Sequence, residues 1–129
     1  MEWDENALYK DNRTPTKSIY FEQTSAPFIQ LYELRAASAD LFYLSDVKNH
    51  QIWVIRLKPD HSEGSLTVLA GSGQKGYQDG QGRAASFYLP TALSLDGAGN
   101  LYVADTGNHA IRKITPGGTV STVYKVPES

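Results

Sequence analysis

The sequence predicts an all-β fold, and three features of its 129 residues support this class. A segment made of short β-type runs occurs twice in the chain. Aromatic residues, which favour strands, are frequent, with eight Tyr, four Phe and two Trp. Eleven Gly and six Pro supply the turns that end short strands. We therefore expect short antiparallel strands rather than helices.

The two copies of the repeat align without gaps over their centres. Residues 46–55 (DVKNHQIWVI) match residues 105–114 (DTGNHAIRKI), 59 positions apart when Asp46 is laid on Asp105. Further on, 65–69 matches 119–123 with an offset of 54, because the first copy carries five extra residues within 58–64. An insertion confined to a polar segment with Pro and Gly is typical of a surface loop.

Each copy is predicted to form four antiparallel strands in meander order, with turn-forming residues between them. The predicted strands are 28–34, 41–44, 52–57 and 65–69 in the first copy, and 91–95, 101–104, 110–115 and 119–124 in the second. The run Ile52-Trp53-Val54-Ile55 is apolar on both faces, so we expect the sheet to be covered on both sides. Four-stranded sheets stacked in this way are the blades of a β-propeller.

The remaining residues divide into a leader, an additional strand and a loop. Residues 1–17 are expected to be a polar, poorly ordered leader. Residues 18–129 are expected to hold the two blades, at about 27–69 and 87–124, joined by a Gly-rich interblade loop at 70–86. Within them, Ser18 to Gln23 is a short strand candidate, either the outer strand of a preceding blade or an edge strand added to the first blade.

The second copy resembles an NHL repeat. The segments LAGSG (69–73), GYQDG (76–80) and AASF (84–87) resemble the linker that opens such a repeat, and DGAGNLYVAD (96–105) with NHAIRKI (108–114) resembles its core. The first copy departs from the pattern, because its first strand lacks the usual Gly-rich turn and Trp53-Val54 stand in place of Arg-Lys. The resemblance covers about residues 27–124.

This resemblance implies a propeller of about six blades that binds protein or RNA or forms an extracellular module; a minority of similar folds are lyases or hydrolases. Two blades are an incomplete ring, since propellers close with roughly four to eight. We therefore expect additional blades as partners, supplied either by the same longer chain or by a homo-oligomer of this chain.

Charge and hydropathy exclude several function classes. The net charge of −2 is spread without a basic stripe, so a nucleic-acid partner is not expected. No apolar run reaches the roughly 18 residues needed to cross a bilayer, and the acidic start does not resemble a signal peptide. We expect a soluble protein with no membrane partner and of unknown compartment. Cysteine is absent, which removes thiolate metal sites and cysteine nucleophiles.

Residues that recur at the same repeat position are interpreted as structural. The two histidines are of a type that often binds metal, but their recurrence after an asparagine favours a role in building the blade. The aspartates are expected to accept backbone N–H groups in the turn. The recurring positions are Asp46, Asn49 and His50 in the first copy, and Asp105, Asn108 and His109 in the second.

Trp53 differs between the copies, since Arg112 stands at its repeat position. If its side chain is exposed, it is a possible binding anchor; if buried, it packs between blades. The segment 71–76 fits G-x-G-x-x-G, yet glycines at 80 and 82 follow where a dinucleotide site needs a helix, so an interblade loop is the better interpretation. We predict no catalytic, cofactor-binding or metal-binding residue and no cofactor.

Three functions remain open from the sequence. The first is an interaction module that binds a protein or another ligand. The alternative is part of a propeller enzyme, a lyase or hydrolase, whose site lies in the central channel. The second alternative is an RNA-binding NHL domain, which the near-neutral charge disfavours.

Overall fold

The computed structural model describes residues 20–21 and 29–127. In this part of the chain the secondary structure consists of β-strands and two short 3₁₀ turns, Gly82–Ala84 and Thr106–Asn108. The strands are β1 Tyr20–Phe21, β2 Leu31–Ser38, β3 Leu41–Asp46, β4 Gln51–Leu57, β5 Glu63–Ala70, β6 Gly80–Gln81, β7 Pro90–Leu95, β8 Leu101–Asp105, β9 Ala110–Ile114 and β10 Thr119–Lys125.

These strands form two sheets with the same meander. The first blade consists of β2 to β5 and the second of β7 to β10, each antiparallel throughout. Each blade has one two-residue strand added at its last strand, namely β1 parallel to β5 and β6 antiparallel to β10. The described sheets do not close into a ring. The prediction of an all-β propeller segment with two four-stranded antiparallel blades is confirmed.

The observed strand limits differ most at the first strand. It begins at Leu31 rather than 28 and continues to Ser38, with register shifts near both ends. Gln30 is held instead by the turn after β3, because its N–H donates to the Asp46 carboxylate and its carbonyl accepts the Val47 N–H. Phe28 and the leader 1–17 lie outside the described residues. Within the strand candidate at 18–23, Tyr20–Phe21 forms an edge strand on the first blade.

The two blades pack face to face through one apolar core. The first blade contributes Tyr43, Ile52, Val54 and Ala70, the second contributes Leu93, Leu101, Val103, Ile114 and Val120, and the linker contributes Ala85 and Phe87. All of these residues are buried. Because burial of one large apolar side chain contributes about 1.5–3 kcal/mol, this interface holds the blades together without any covalent staple.

The opposite face of the first blade is buried as well, around Leu44, Trp53, Ile55 and Leu66. All residues from Gln51 to Ile55 are buried, although their side chains alternate between the two faces of the sheet. The continuous apolar run in the sequence therefore indicated correctly a sheet covered on both sides. The second blade differs, because Ile111 on its corresponding strand is 44% exposed.

The contact between Gly107 and Tyr88 leads to a first prediction. A Cβ on Gly107 would lie 2.4 Å from the Tyr88 ring, and the Gly107 N–H donates to the Tyr88 carbonyl at 2.7 Å. Gly107→Ala should therefore lower the free energy of unfolding by about 1–3 kcal/mol in urea titrations. Gly97→Ala is the matched control, because no atom lies within 4 Å of its added Cβ. Equal effects of the two substitutions would contradict the proposed crowding.

Candidate functional site

A buried carboxylate lies at the turn between the second and third strands of each blade. In the first blade Asp46 is fully buried, and its Oδ1 accepts the N–H groups of Gln30, Lys48 and Asn49 at 3.0–3.2 Å. Its Oδ2 accepts the Asn49 amide at 2.7 Å and the Trp53 indole N–H at 3.2 Å. One carboxylate thus joins the start of the first strand, the turn and the third strand.

Asp105 has the equivalent place in the second blade and is also fully buried. Its Oδ1 accepts the Tyr88 N–H at 2.8 Å, and its Oδ2 accepts the Asn108 amide at 2.8 Å. The third-strand partner is now Arg112, whose guanidinium lies 2.6 Å from Asp105 Oδ2 with both side chains excluded from solvent. The repeat position of Trp53 is therefore occupied by a cation in the second blade.

Arg112 also binds the interblade linker. Its guanidinium donates to the carbonyls of Ser86 at 3.0 Å and Gln78 at 2.8 Å, and to the Asp79 carboxylate at 3.0 Å. It stacks against the Tyr77 and Phe87 rings, each 4.9 Å away. Trp53 makes a single hydrogen bond at this position, so the arginine in the second blade adds an anchor for the linker.

Trp53 is 3% exposed and packs with Leu44, Ile55 and Leu66. Its side chain is therefore buried on the sheet face opposite the second blade and does not take part in the packing between the two described blades. The sequence alone left both environments open, because an aromatic residue within a strand fits either.

His50 connects the first blade to the linker that leads into the second. Its Nδ1 accepts the Leu89 N–H at 3.0 Å, and its ring lies 5.6 Å from the Tyr88 ring. Burial lowers the pKa of His50 from its usual 6.5; Lys75 acts in the same direction, whereas Asp46 and Asp105 oppose it. The neutral form, which leaves Nδ1 free to accept, is therefore favoured. The sequence predicted a turn-building role but not this bond across the blade junction.

The other recurring positions serve the same turns. Asn108 donates to the Gly76 carbonyl at 2.8 Å, so it too contacts the linker. His109, like His50, has left-handed backbone, with φ values of 54° and 56°. Its N–H donates to Thr106 O, whereas its side chain is exposed. The asparagines and aspartates therefore bind both their own turns and segments that precede the blade, whereas His50 forms a bond to the residue before the next blade.

The glycine-rich segment 71–76 is part of the interblade linker and is followed by the two-residue strand β6 and a 3₁₀ turn, Gly82–Ala84. Gly71 has φ +112°, and a Cβ there would lie 2.8 Å from the His50 carbonyl. Glycine is therefore required where the linker leaves the first blade. This arrangement has no helix N-terminus at which a pyrophosphate could bind.

A polar cleft of about 260 Å³ lies at the outer rim of the second blade, lined by Tyr77, Gln78, Asp79 and Thr122. The Asp79 carboxylate in this cleft has partners within the protein, because it forms an ion pair with Arg112 and accepts a hydrogen bond from the Thr122 hydroxyl at 2.9 Å. Among the residues that the structure describes, no three His, Cys, Asp or Glu side chains are grouped to hold a metal ion. No described helix is long and apolar enough to cross a membrane.

Comparison with protein families identifies the second blade. The NHL repeat model matches residues 87–114, which include Asp105, Asn108, His109 and Arg112. The chain carries an NHL repeat. Its linker-binding arginine and buried aspartate lie within the matched residues. The match does not include the first blade, where Trp53 stands at the repeat position of Arg112.

The proteins that are similar to this chain are several times longer than it is. Protein SUPPRESSOR OF QUENCHING 1, chloroplastic, from Arabidopsis thaliana is 39% identical over 72 residues, which are 56% of this chain and 6% of that protein. An auxiliary nutrient binding protein from Bacteroides thetaiotaomicron aligns over 82% of this chain and 27% of its own, with a TM-score of 0.63 and 23% identity. A provisionally assigned phosphatase from the same organism aligns over 94% and 27%, with a TM-score of 0.64 and 22% identity. The two solved structures share the fold.

The buried Asp105–Arg112 pair leads to a second prediction. Arg112→Ala leaves the Asp105 carboxylate buried without its cation and frees the linker carbonyls, so the free energy of unfolding should fall by about 3–5 kcal/mol. Lys113→Ala, at the next and only half-buried position, is the control and should change it by less than about 0.5 kcal/mol. Similar losses in the two variants, measured by urea unfolding, would show that the NHL arginine is not a structural anchor.

The lowered pKa of His50 leads to a third prediction. Because the folded-state pKa of His50 lies below 6.5, the unfolded chain binds more protons at this residue than the folded chain does. The contribution of His50 to the free energy of unfolding is therefore complete above about pH 6.5 and is lost as the pH falls toward the folded-state pKa. Between pH 7.5 and pH 5, the free energy of unfolding measured in urea should decrease less for His50→Gln than for the wild type. His109→Gln, with an exposed ring, is the control. An unchanged decrease in His50→Gln would contradict the prediction.

Proposed function

We propose that the two blades act as part of a larger propeller that is an interaction module for a protein or another ligand. The remaining blades are supplied by the same longer polypeptide rather than by copies of this chain. Support for the larger ring comes from the partial coverage of similar structures, of which this chain spans about a quarter. Support for a binding role comes from the name of one of these proteins, an auxiliary nutrient binding protein.

The buried charged side chains are engaged inside the blades. Asp46, Asp105 and Arg112 are fully buried, and their bonds hold strands, turns and the linker. Groups with these partners stabilise the fold and are not directed at a solvent-accessible substrate. This use of the buried charges supports a binding role over catalysis by the same residues.

Three exposed apolar or aromatic side chains lie close together on β2. Tyr32 is 61% exposed, Leu31 is 43% exposed and Leu34 is 37% exposed. The strand lies at the edge of its sheet, and a register shift between Leu31 and Glu33 places Tyr32 outside the regular pairing. Irregular pairing at a sheet edge redirects a side chain, and tyrosine is enriched where proteins bind. This exposed cluster is the observation on which the proposal rests.

A photo-crosslinking amino acid at position 32 tests the proposal in an extract of the source organism. We expect repeated capture of one defined protein from position 32 and not from position 97, an exposed turn with open space around it. Tyr32→Ala should reduce retention of the captured protein on the immobilised chain by roughly tenfold, the effect of losing an interface anchor. Equal capture at the two positions would contradict a binding role for β2.

Metal analysis of the purified chain separates the enzyme alternative from this proposal. A stoichiometric zinc or calcium content would favour catalysis in the central channel. A mobility shift with RNA that weakens steeply with salt would favour the RNA-binding alternative.

A further inference from the structure

The polar cleft at the outer rim of the second blade, hereafter the rim cleft, has hydrogen-bonding atoms that the fold does not use. It is lined by Tyr77, Gln78, Asp79 and Thr122 and has a volume of about 260 Å³. We propose that the rim cleft binds one neutral sugar residue, with Asp79 Oδ2 accepting a hydrogen bond from a sugar hydroxyl. This site is separate from Tyr32, which lies on β2 of the other blade.

Asp79 is held in place by a buried cation. Arg112, whose side chain is fully buried, donates to Asp79 Oδ1 at 3.0 Å and to the Gln78 carbonyl at 2.8 Å. The Thr122 hydroxyl donates to the same Oδ1 at 2.9 Å. No hydrogen bond among the described residues involves Asp79 Oδ2, and the side chain is 50% exposed. The carboxylate therefore has a fixed orientation and one oxygen open to a ligand.

The Tyr77 side chain is also held in place by its neighbours. The Arg112 guanidinium lies 4.9 Å from the centroid of its ring, and the Lys125 ammonium lies 5.0 Å from the same centroid. The Tyr77 hydroxyl donates to the Thr122 hydroxyl at 3.3 Å. Tyr77 is nevertheless exposed, so a ligand can reach it. Because these contacts restrict the side chain before a ligand arrives, binding costs less conformational entropy.

The hydrogen-bonding groups of the rim cleft match a ligand that carries several hydroxyls. The Asp79 carboxylate only accepts, whereas the Gln78 amide and the hydroxyls of Tyr77 and Thr122 can each donate and accept. A ligand hydroxyl is also both donor and acceptor, so adjacent hydroxyls can bind the carboxylate and a neighbouring group together. A hydrogen bond from a hydroxyl to a carboxylate is charge-assisted and about twice as strong as one between neutral groups.

Charge and size favour a small neutral ligand. The cations Arg112 and Lys125 are balanced by the carboxylates of Asp79 and Asp105, so these four groups have no net charge that would attract an ion. The volume of the cleft is below the roughly 300–1,000 Å³ of sites for drug-sized ligands, which fits a single ring. A lipid or an aromatic ligand would bury the polar lining without hydrogen bonds, which is unfavourable.

The first blade does not repeat these polar groups. Val68 stands at the repeat position of Thr122 and packs against the apolar cluster that contains Trp53, the counterpart of Arg112. The four-stranded meander therefore forms with an apolar residue at this position of its outer strand. Because the fold of a blade does not require the Thr122 hydroxyl, its presence supports a role in binding.

Amide NMR titrations of the unmodified chain test the proposal. The methyl glycosides of glucose, galactose and mannose are the probes, each added separately, and glycerol is the control for general effects of hydroxyl compounds. We expect at least one glycoside to shift the amide signals of Gln78, Asp79 and Thr122 to saturation. Glycerol at the same concentration should leave these signals unchanged.

Two substitutions in the rim cleft test the proposed bond. Asp79→Asn keeps an acceptor for Arg112 and replaces the open oxygen by an amide nitrogen, so it should weaken glycoside binding by at least about tenfold, the effect of losing a hydrogen bond to a charged group. Thr122→Val introduces the residue type of the first blade and should weaken binding by roughly two- to tenfold, which keeps the test decisive if Asp79→Asn alters the fold. Ser121→Ala, at an exposed position on the opposite face of the same strand, is the matched control and should leave binding unchanged.

Four results would overturn the inference. The glycosides could leave the signals of the rim cleft unchanged, glycerol could shift them equally, or the substitutions in the cleft could have no more effect than Ser121→Ala. A saturable shift of the same signals by methylammonium chloride or sodium phosphate, and not by the glycosides, would make the ligand an ion. None of these results involves Tyr32, so the crosslinking experiment tests the proposed function separately.

Discussion

The fold depends on a buried carboxylate at the same place in each blade. Moving a carboxylate out of water is strongly unfavourable unless N–H donors surround it, and the donors here come from three separate segments of the chain. Asp46 collects N–H groups from the start of the first strand, from its own turn and from the third strand. Asp105 does the same with Tyr88, Asn108 and Arg112. The meander is therefore held at one end by a single side chain per blade.

The two blades complete this arrangement with different third-strand donors. Trp53 supplies one N–H and a large apolar body, and it lies in a face packed with Leu44 and Leu66. Arg112 supplies a charge and further donors, which bind Ser86 and Gln78 in the linker. The arginine thus couples the second blade to the segment that precedes it. The tryptophan favours apolar packing around its own sheet.

The junction between the blades combines nonspecific and directional contacts. The apolar core from Tyr43 to Ile114 supplies the area that drives packing, but area alone does not define the angle between two sheets. Directional hydrogen bonds define this angle. The Leu89 N–H donates to His50, the Leu93 N–H donates to Glu33, and Arg35 donates to the Leu93 carbonyl.

The sequence by itself determined the strand order, the repeat and the two-sided burial of the first sheet. Strand limits in the second blade agree within about one residue, because Gly, Pro and Asn mark its turns plainly. The recurrence of Asp46 and Asp105 also indicated their turn-binding role, since local spacing is visible in a single chain. In physical terms, these features depend on short-range backbone preferences and on side-chain periodicity.

Only the tertiary structure decided which groups meet across the blades. The His50–Leu89 bond joins residues 39 positions apart, and the choice of Leu89 follows from how the linker folds back. The burial of Trp53 likewise depends on packing against its sheet face rather than on its neighbours in sequence. β2 starts as late as Leu31 because the Gln30 N–H donates to the Asp46 carboxylate rather than to a neighbouring strand. Local strand propensity does not reveal such a side-chain hydrogen bond.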